Sequence, residues 1–247
     1  MSHNSAETAG ELLPYLDKAL ERFNTSGIWW RGQACSEWSL QASICRKPGP
    51  SGMEQDFVNG FRRKALSRHH NCPPLNDSTG WLFLMQHYRL PTRLLDWSES
   101  LLIATYFAVN AEFTKPGAIW ALSPLDLNEE QFAVRGIFEP DGDTVRPLIV
   151  HAFIKSAPKI CKVAATSVKE IDPRMMVQLS AFTIHGDCEP LDTRPNNEKY
   201  LLKFEIPAGS KKRLLQLLYD LGVRESSIFP DLEHLAHDMT TGEYGPV

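Results

Sequence analysis

No apolar run in this sequence is long enough to cross a membrane. The longest, Leu101 to Val109, is interrupted by Thr105 and is about half of the roughly 20 residues a span needs. Met1 to Gly10 is polar and has no apolar core of signal-peptide length. Together these absences lead to the expectation of a soluble, cytoplasmic protein with no membrane partner. Cysteine is sparse: Cys35, Cys45, Cys72, Cys161 and Cys188 are scattered, odd in number and form no C-x-x-C pair. That pattern indicates neither a zinc ribbon nor a disulfide framework, so inert thiols and no metal are expected. There is no G-x-G-x-x-G, no P-loop and no G-x-S-x-G, which removes three familiar nucleotide and hydrolase signatures. Internal repeats and low-complexity linkers are missing too. A large excess of charge of either sign is also lacking, since 26 basic residues face 30 acidic ones for a net −4. An indiscriminate polyanion binder is therefore excluded.

What is present is ordinary globular material: 247 residues, 43% hydrophobic and 23% charged, enough to bury a core without staples. Glu11 to Phe23 reads as a helix with Leu12, Leu13, Leu16, Leu20 and Phe23 on one face. Ile28 to Gln33 reads as a short strand. Helices are expected over Glu54 to Arg68, over Trp81 to Tyr88 with Asp77 or Ser78 as cap, and from a Ser98 cap to about Glu112. Lys47 to Gly52 is a Pro- and Gly-rich loop, and Thr92 to Trp97 is extended after Pro91. Gly117 to Leu122, Leu148 to Phe153, Cys161 to Ala165, Met176 to His185 and Tyr200 to Ile206 are strand candidates, with Ser123 to Pro147 irregular. Ser210 to Leu221 is a helix closed by Gly222, and Phe229-Pro230-Asp231 opens a last one. Helices surround strands without strict βα alternation. The expected class is α+β, one domain with a mixed or antiparallel sheet core and flanking helices.

Two clusters spend costly residues among apolar ones. In Trp29-Trp30-Arg31-Gly32-Gln33 the arginine must find a partner, because an unpaired buried charge is expensive. Its planar fork suits phosphate or carboxylate, and Gly32 would let a ligand approach the backbone. The structural alternative is an ion pair inside the fold, for example with Asp96. The second cluster, Gln86-His87-Tyr88-Arg89-Leu90-Pro91-Thr92-Arg93-Leu94-Leu95-Asp96-Trp97, holds a possible base, two arginines, a hydroxyl and a carboxylate. On a strand Thr92 and Asp96 share one face and could meet one ligand, while Arg93 points away to hold the fold. Alternatively His87 serves a helix end and Asp96 caps a helix. Arg62-Arg63-Lys64 with Arg68 and His69-His70 reads as a solvated basic helix face. His234 and His237, beside Glu233 and Asp238, read as a polar surface helix rather than a metal site.

Trp30-Arg31-Gly32-Gln33, Trp38-Ser39-Leu40 and Arg46, followed by Gln86-His87-Tyr88 and Pro91-Thr92-Arg93-Leu94-Leu95-Asp96-Trp97, resemble the signature of the FRG (Phe-Arg-Gly) domain family. Tyr106-Phe107-Ala108, then Arg174, Gln178 and Phe182, then Phe229 to Glu233, resemble its later elements. The resemblance implies an FRG domain over 28–238, an N-terminal helical segment over 1–27 and a flexible tail over 239–247. Trp30 stands for the eponymous Phe, Leu101 for a usual Pro, and Arg89 where the family usually has Gly, so the turn before Pro91 either differs or gains a cation. The resemblance implies a toxin or anti-phage defence protein rather than a metabolic enzyme.

A further resemblance, at fold level, is to ADP-ribosyltransferases, whose Arg, hydroxyl and Glu or Gln occur in the order of Arg31, Thr92 and Gln178. It implies NAD as substrate and a nucleic-acid or protein acceptor. Arg31, Thr92, Asp96, Gln178 and Glu233 are then the catalytic candidates. Trp30, Arg31, Gln33, His87, Tyr88 and Arg93 are the NAD-binding candidates, with Glu205 a further possible carboxylate. The competing reading is a non-catalytic recognition domain for an anionic ligand or partner protein. Residues 26 to 93 carry nine Lys or Arg against four Asp or Glu, so the basic excess sits where an anion would need it.

Overall fold

The computed structural model describes residues 12–25, 27–46, 53–154, 156–168 and 173–240. The loop expected over 47–52 and residues 241–247 of the expected tail lie outside them. A single six-stranded sheet organises the chain, in the order β4-β5-β2-β1-β3-β6, with every neighbouring pair antiparallel. The strands are β1 (Trp29–Gln33), β2 (Leu94–Ser98), β3 (Gly117–Leu122), β4 (Val163–Thr166), β5 (Ser180–His185) and β6 (Leu201–Ile206). The helices are α1 (Leu13–Phe23), α2 (Glu54–Ala65), α3 (Ser78–His87), α4 (Leu101–Val109), α5 (Pro124–Phe132), α6 (Arg146–Phe153), α7 (Pro173–Val177), α8 (Lys211–Asp220), α9 (Glu225–Ile228) and α10 (Leu232–Thr240). The expected α+β class with an antiparallel sheet and flanking helices is what forms.

Side chains alternate along each strand, so the sheet buries both faces. Trp30, Ile119 and Ala121 pack with α1, α4 and α8 on one face. The same face continues, past the centre of the sheet, as Leu94, Phe182 and Ile184 under α2, α3 and α6. Trp29, Leu95, Trp97, Trp120 and Leu122 fill the opposite face with Leu40, Leu127 and Tyr200. The two helix groups leave a gap between them. Beneath it β1 and β2 meet at only one register position, Trp30 with Ser98, whereas β1 runs beside β3 from Trp29–Leu122 to Gln33–Ala118. The sheet is therefore loosest at its centre, and the gap opens there.

Gly32 has a structural use beside the one expected. A Cβ at Gly32 would sit 1.8 Å from the Ala104 carbonyl oxygen and 2.6 Å from the Ala108 nitrogen. The missing side chain admits α4 to the surface of β1, and the residue also borders the gap.

Several expected elements are corrected. Leu148 to Phe153 belongs to α6, not a strand; a short apolar run has no period that separates the two, and Pro147 lies in the first helical turn. Ser123 to Pro147 is not wholly irregular, because Ser123 caps α5, accepting from the Asp126 N–H. Ser100, not Ser98, caps α4 by accepting from the Ile103 N–H. Met176 and Val177 lie in α7, and β5 starts only at Ser180, after Leu179 at φ +45°. The inert-thiol expectation fails at two positions: Cys45 and Cys188 form a disulfide across 143 residues of chain. Spacing patterns do not reveal a pair so far apart. Cys35, Cys72 and Cys161 are free.

Candidate functional site

The gap over the β1–β2 junction is a cleft of about 910 Å³, lined by Arg31, Arg46, Asp96 and Gln178 among others. That lies near the top of the roughly 300–1,000 Å³ typical of small-molecule sites. β1 delivers Arg31, whose side chain is only 15% exposed. It donates through Nη1 to the Asp96 carbonyl oxygen at 2.6 Å, and Nη1 lies 3.9 Å from Asp96 Oδ2. Its buried Nε has no hydrogen-bond partner among the described residues. Burial, then the positive charge of Arg46, push Arg31 down to about 10, against the opposing pull of Asp96. Arg46 is lowered as well, by burial, again against Asp96. Two guanidiniums thus face the half-exposed carboxylate of Asp96, and the lining as a whole holds four arginines (Arg31, Arg46, Arg89, Arg174) against two carboxylates (Asp96, Glu37), so the pocket is short of negative charge.

Asp96 is held from below. Gln86, near the end of α3, donates Nε2 to both carboxylate oxygens at 2.8 Å. Gln86 Oε1 accepts from the Thr92 hydroxyl at 2.5 Å, and Thr92 Oγ1 accepts from the Leu94 N–H. Thr92 is fully buried. It does not meet a ligand beside Asp96, as strand alternation suggested; it fixes Gln86, which fixes Asp96. Gln33 lines the cleft but spends its amide internally, accepting from Trp120 Nε1 at 2.8 Å and donating to the Ser39 carbonyl. That bond orders the segment carrying Trp38, which is 49% exposed at the cleft.

The far wall comes from the segment before β5. Gln178 Nε2 donates to the Ile228 carbonyl, and the Gln178 carbonyl accepts from the Ser98 hydroxyl. The Arg174 guanidinium lies 4.6 Å from the centre of the Phe229 ring. Trp30 also borders the cleft while nearly buried.

Five sequence candidates lie elsewhere. Arg93 is buried against Glu54, donating Nε to Oε1 at 3.0 Å and Nη2 to Oε2, with Nη1 bonded to the Leu148 carbonyl. It ties β2 to α2 and α6 and does not line the cleft. Glu233 is exposed on α10, outside the cleft lining. Tyr88 faces a second groove, and His87 packs edge-on against it, 4.8 Å between ring centres. Glu205 is exposed on β6, also outside the lining. Conversely, the role of Gln86 in holding Asp96 was missed, as it does not follow from residue spacing along the chain, and Glu37, which also lines the cleft, was not named. The sequence signal for Arg46 was its place in the FRG pattern.

Behind the cleft, Trp97 Nε1 donates to Thr183 Oγ1 at 3.1 Å, and Thr183 lies 3.0 Å from His185 Nε2. Burial first, then Arg194 and Arg31, push His185 down to about 3. A neutral ring accepting from the Thr183 hydroxyl completes the chain. Between α9 and α10, Glu225, His237 and Asp238 bring their ligand atoms within 4.8 Å of one another. His237 Nδ1 sits 3.1 Å from Glu225 Oε2, which accounts for the cluster as an ion pair. The expected polar surface helix is therefore tied to α9.

No curated protein and no solved structure matches the chain. One family model does match, over residues 26–116, a span that takes in β1, Arg46, the Gln86 to Trp97 string and α4. The elements at Arg174 to Phe182 and Phe229 to Glu233 lie beyond it. The stretch that supplies Arg31, Arg46, Gln86 and Asp96 to the cleft, residues 26–116, is an FRG domain.

Proposed function

We propose that the cleft binds NAD and that the protein transfers ADP-ribose from it to a macromolecule. The observation that carries this reading is the electrostatic imbalance of the cleft: Arg31, with an unfilled Nε donor, and Arg46 both face Asp96, and the lining holds four arginines against two carboxylates, Asp96 and Glu37. A pyrophosphate supplies the missing negative charge and accepts from both forks. Trp38 and Phe107, on the cleft wall, offer ring faces for adenine or nicotinamide.

In the transfer, the bond between nicotinamide nitrogen and ribose C1′ breaks, and nicotinamide leaves with the bonding pair. Asp96, oriented by Gln86, stabilises the positive charge that develops on the sugar. An acceptor nucleophile then bonds to C1′ and loses its proton to solvent or a nearby base. Arg31 and Gln86 act as positioning groups, and Thr92 acts through Gln86. A place in a toxin or anti-phage defence system is part of the proposal and rests on the FRG resemblance alone.

The test is release of nicotinamide from NAD by the purified protein, with protein, DNA and RNA offered as acceptors. Release that is lost in Arg31→Ala and reduced at least tenfold in Asp96→Asn is expected. One observation favours a second reading: the Asp96 carboxylate is engaged by Gln86 and Arg31, as a counter-ion of a recognition site would be. NAD binding without nicotinamide release from any acceptor class selects that alternative, a non-catalytic anion-binding FRG module.

A further inference from the structure

A second groove, about 480 Å³, lies between α2 and the end of α3. Phe57, Phe61, Leu84, Tyr88 and Leu90 line it with apolar surface, and Lys64, Arg68 and His69 supply basic groups. Asp56 is the one carboxylate of its lining. Leu90 borders both this groove and the cleft, so the two are neighbours at that residue.

Three features point to the kind of occupant. Tyr88 is 52% exposed although its ring is braced by Phe61 at 6.3 Å, His69 at 5.9 Å and His87 at 4.8 Å between centres. A braced, half-exposed aromatic ring is a stacking platform. Lys64 lies in the last turn of α2 and Arg68 just beyond it, with Arg68 Nη1 donating to the Lys64 carbonyl at 2.7 Å, and both border the groove. The basic run expected to be a solvated helix face thus divides: Arg62 turns inward over Trp81 and Phe153 and donates to the Leu75 carbonyl, while Lys64 and Arg68 border the groove. Finally, Arg89 sits between Tyr88 and Leu90 at φ +59°. The turn keeps the left-handed backbone that suits glycine, yet carries a cation on the cleft wall. A left-handed conformation is unfavourable for a long side chain, and at this junction it places a positive charge.

We propose that the groove seats single-stranded nucleic acid, one base stacked on Tyr88, its phosphates on Lys64, Arg68 and Arg89, and the next nucleotide passing Leu90 into the cleft. This rests on the transferase reading for its purpose, since it names the acceptor, but not for its test. A protein acceptor is disfavoured because a basic rim over aromatic rings, open on one side, matches alternating bases and phosphates.

The experiment is fluorescence anisotropy of a labelled single-stranded oligonucleotide with the full chain, in the absence of NAD, over a range of salt. Lys64→Glu with Arg68→Glu is expected to weaken binding at least tenfold. Because both contacts are lost, the slope of log affinity against log salt should fall by about 1.4. The control pair Lys18→Glu with Lys159→Glu, exposed on other parts of the chain, should change affinity less than threefold. Tyr88→Ala should weaken binding at least fivefold and Tyr88→Phe restore it, which a merely structural role for the hydroxyl or the charge would not produce. Thermal unfolding of each variant confirms that it folds. Binding that survives the Lys64/Arg68 reversal, equal affinity for a duplex of the same sequence, or equal affinity for an acidic peptide overturns the proposal. Because no NAD is present, nicotinamide release without oligonucleotide binding defeats the groove alone and leaves the transferase reading standing.

Discussion

Two arginines near the middle of the sheet meet opposite fates. Arg93 lies in a dry pair with Glu54, both side chains about 6% exposed, and its fork is filled by the carboxylate and the Leu148 carbonyl. Arg31 sits beside the open cleft, shares a half-exposed carboxylate with Arg46, and keeps an unfilled donor. Closed geometry of the first kind belongs to stability. Open geometry of the second kind stores unsatisfied charge for a ligand. The lesson is that an arginine's role is read from whether its donors are already spent, and two arginines of one FRG domain differ in that respect.

The largest effect expected from this contrast is on stability. Arg93→Ala leaves Glu54 buried and unpaired, and urea unfolding should show a loss of about 3–5 kcal/mol. Equal losses in Arg93→Ala and Arg31→Ala would break the comparison. Next comes the disulfide. Reducing Cys45–Cys188, or replacing Cys45 by Ser, frees a loop of 143 residues and should cost about 2–4 kcal/mol in the same assay. Arg46 follows Cys45 directly, so the same substitution should also weaken any anion held by Arg46.

The chain Trp97–Thr183–His185 sharpens the contrast from behind. The folded protein holds His185 neutral down to about pH 3, whereas the unfolded chain takes up the proton near 6.5. The unfolded state therefore binds more protons between those values, and stability falls as pH falls through that window. The loss should be about 2 kcal/mol at pH 5 relative to pH 8, and His185→Gln should flatten it. Smallest is the effect of Arg31→Ala on folding. Two hydrogen-bonding and ionic links to Asp96 are lost, but repulsion with Arg46 is relieved, so the net change should stay within about 1 kcal/mol.

The sequence made part of this legible. The pattern of apolar residues located β1, β3, β6, α1, α2, α3, α4 and α8 to within a few residues, because each has a clear period or a clear stop. It failed at α5 and α6, where Pro at the helix start and a short apolar run carry no period of their own. At the site, Arg31, Asp96 and Gln178 were named from the sequence and do line one cleft. Thr92 was named too, but the step from strand alternation to a ligand-facing side chain overlooked Gln86, which reaches it from α3; alternation did turn Arg93 away from the ligand, where Glu54 of α2 meets it, against its place among the NAD-binding candidates. Gly32 was read as room for a ligand and does line the cleft, but its second use, admitting α4, depends on a tertiary position that local sequence does not show. The disulfide was invisible because its partners are brought together only by the pairing of β2 with β5 and the loop beyond.

The central claim is that Arg31 is held for an anion and Arg93 for the fold. Calorimetric titration of NAD into the wild-type chain and into Arg31→Ala, at a temperature where both are folded, tests it most directly. Saturable binding that weakens at least tenfold in Arg31→Ala, with unfolding of the variant unchanged within about 1 kcal/mol, is the predicted result. No binding to the wild type, or equal binding to both chains, would contradict it.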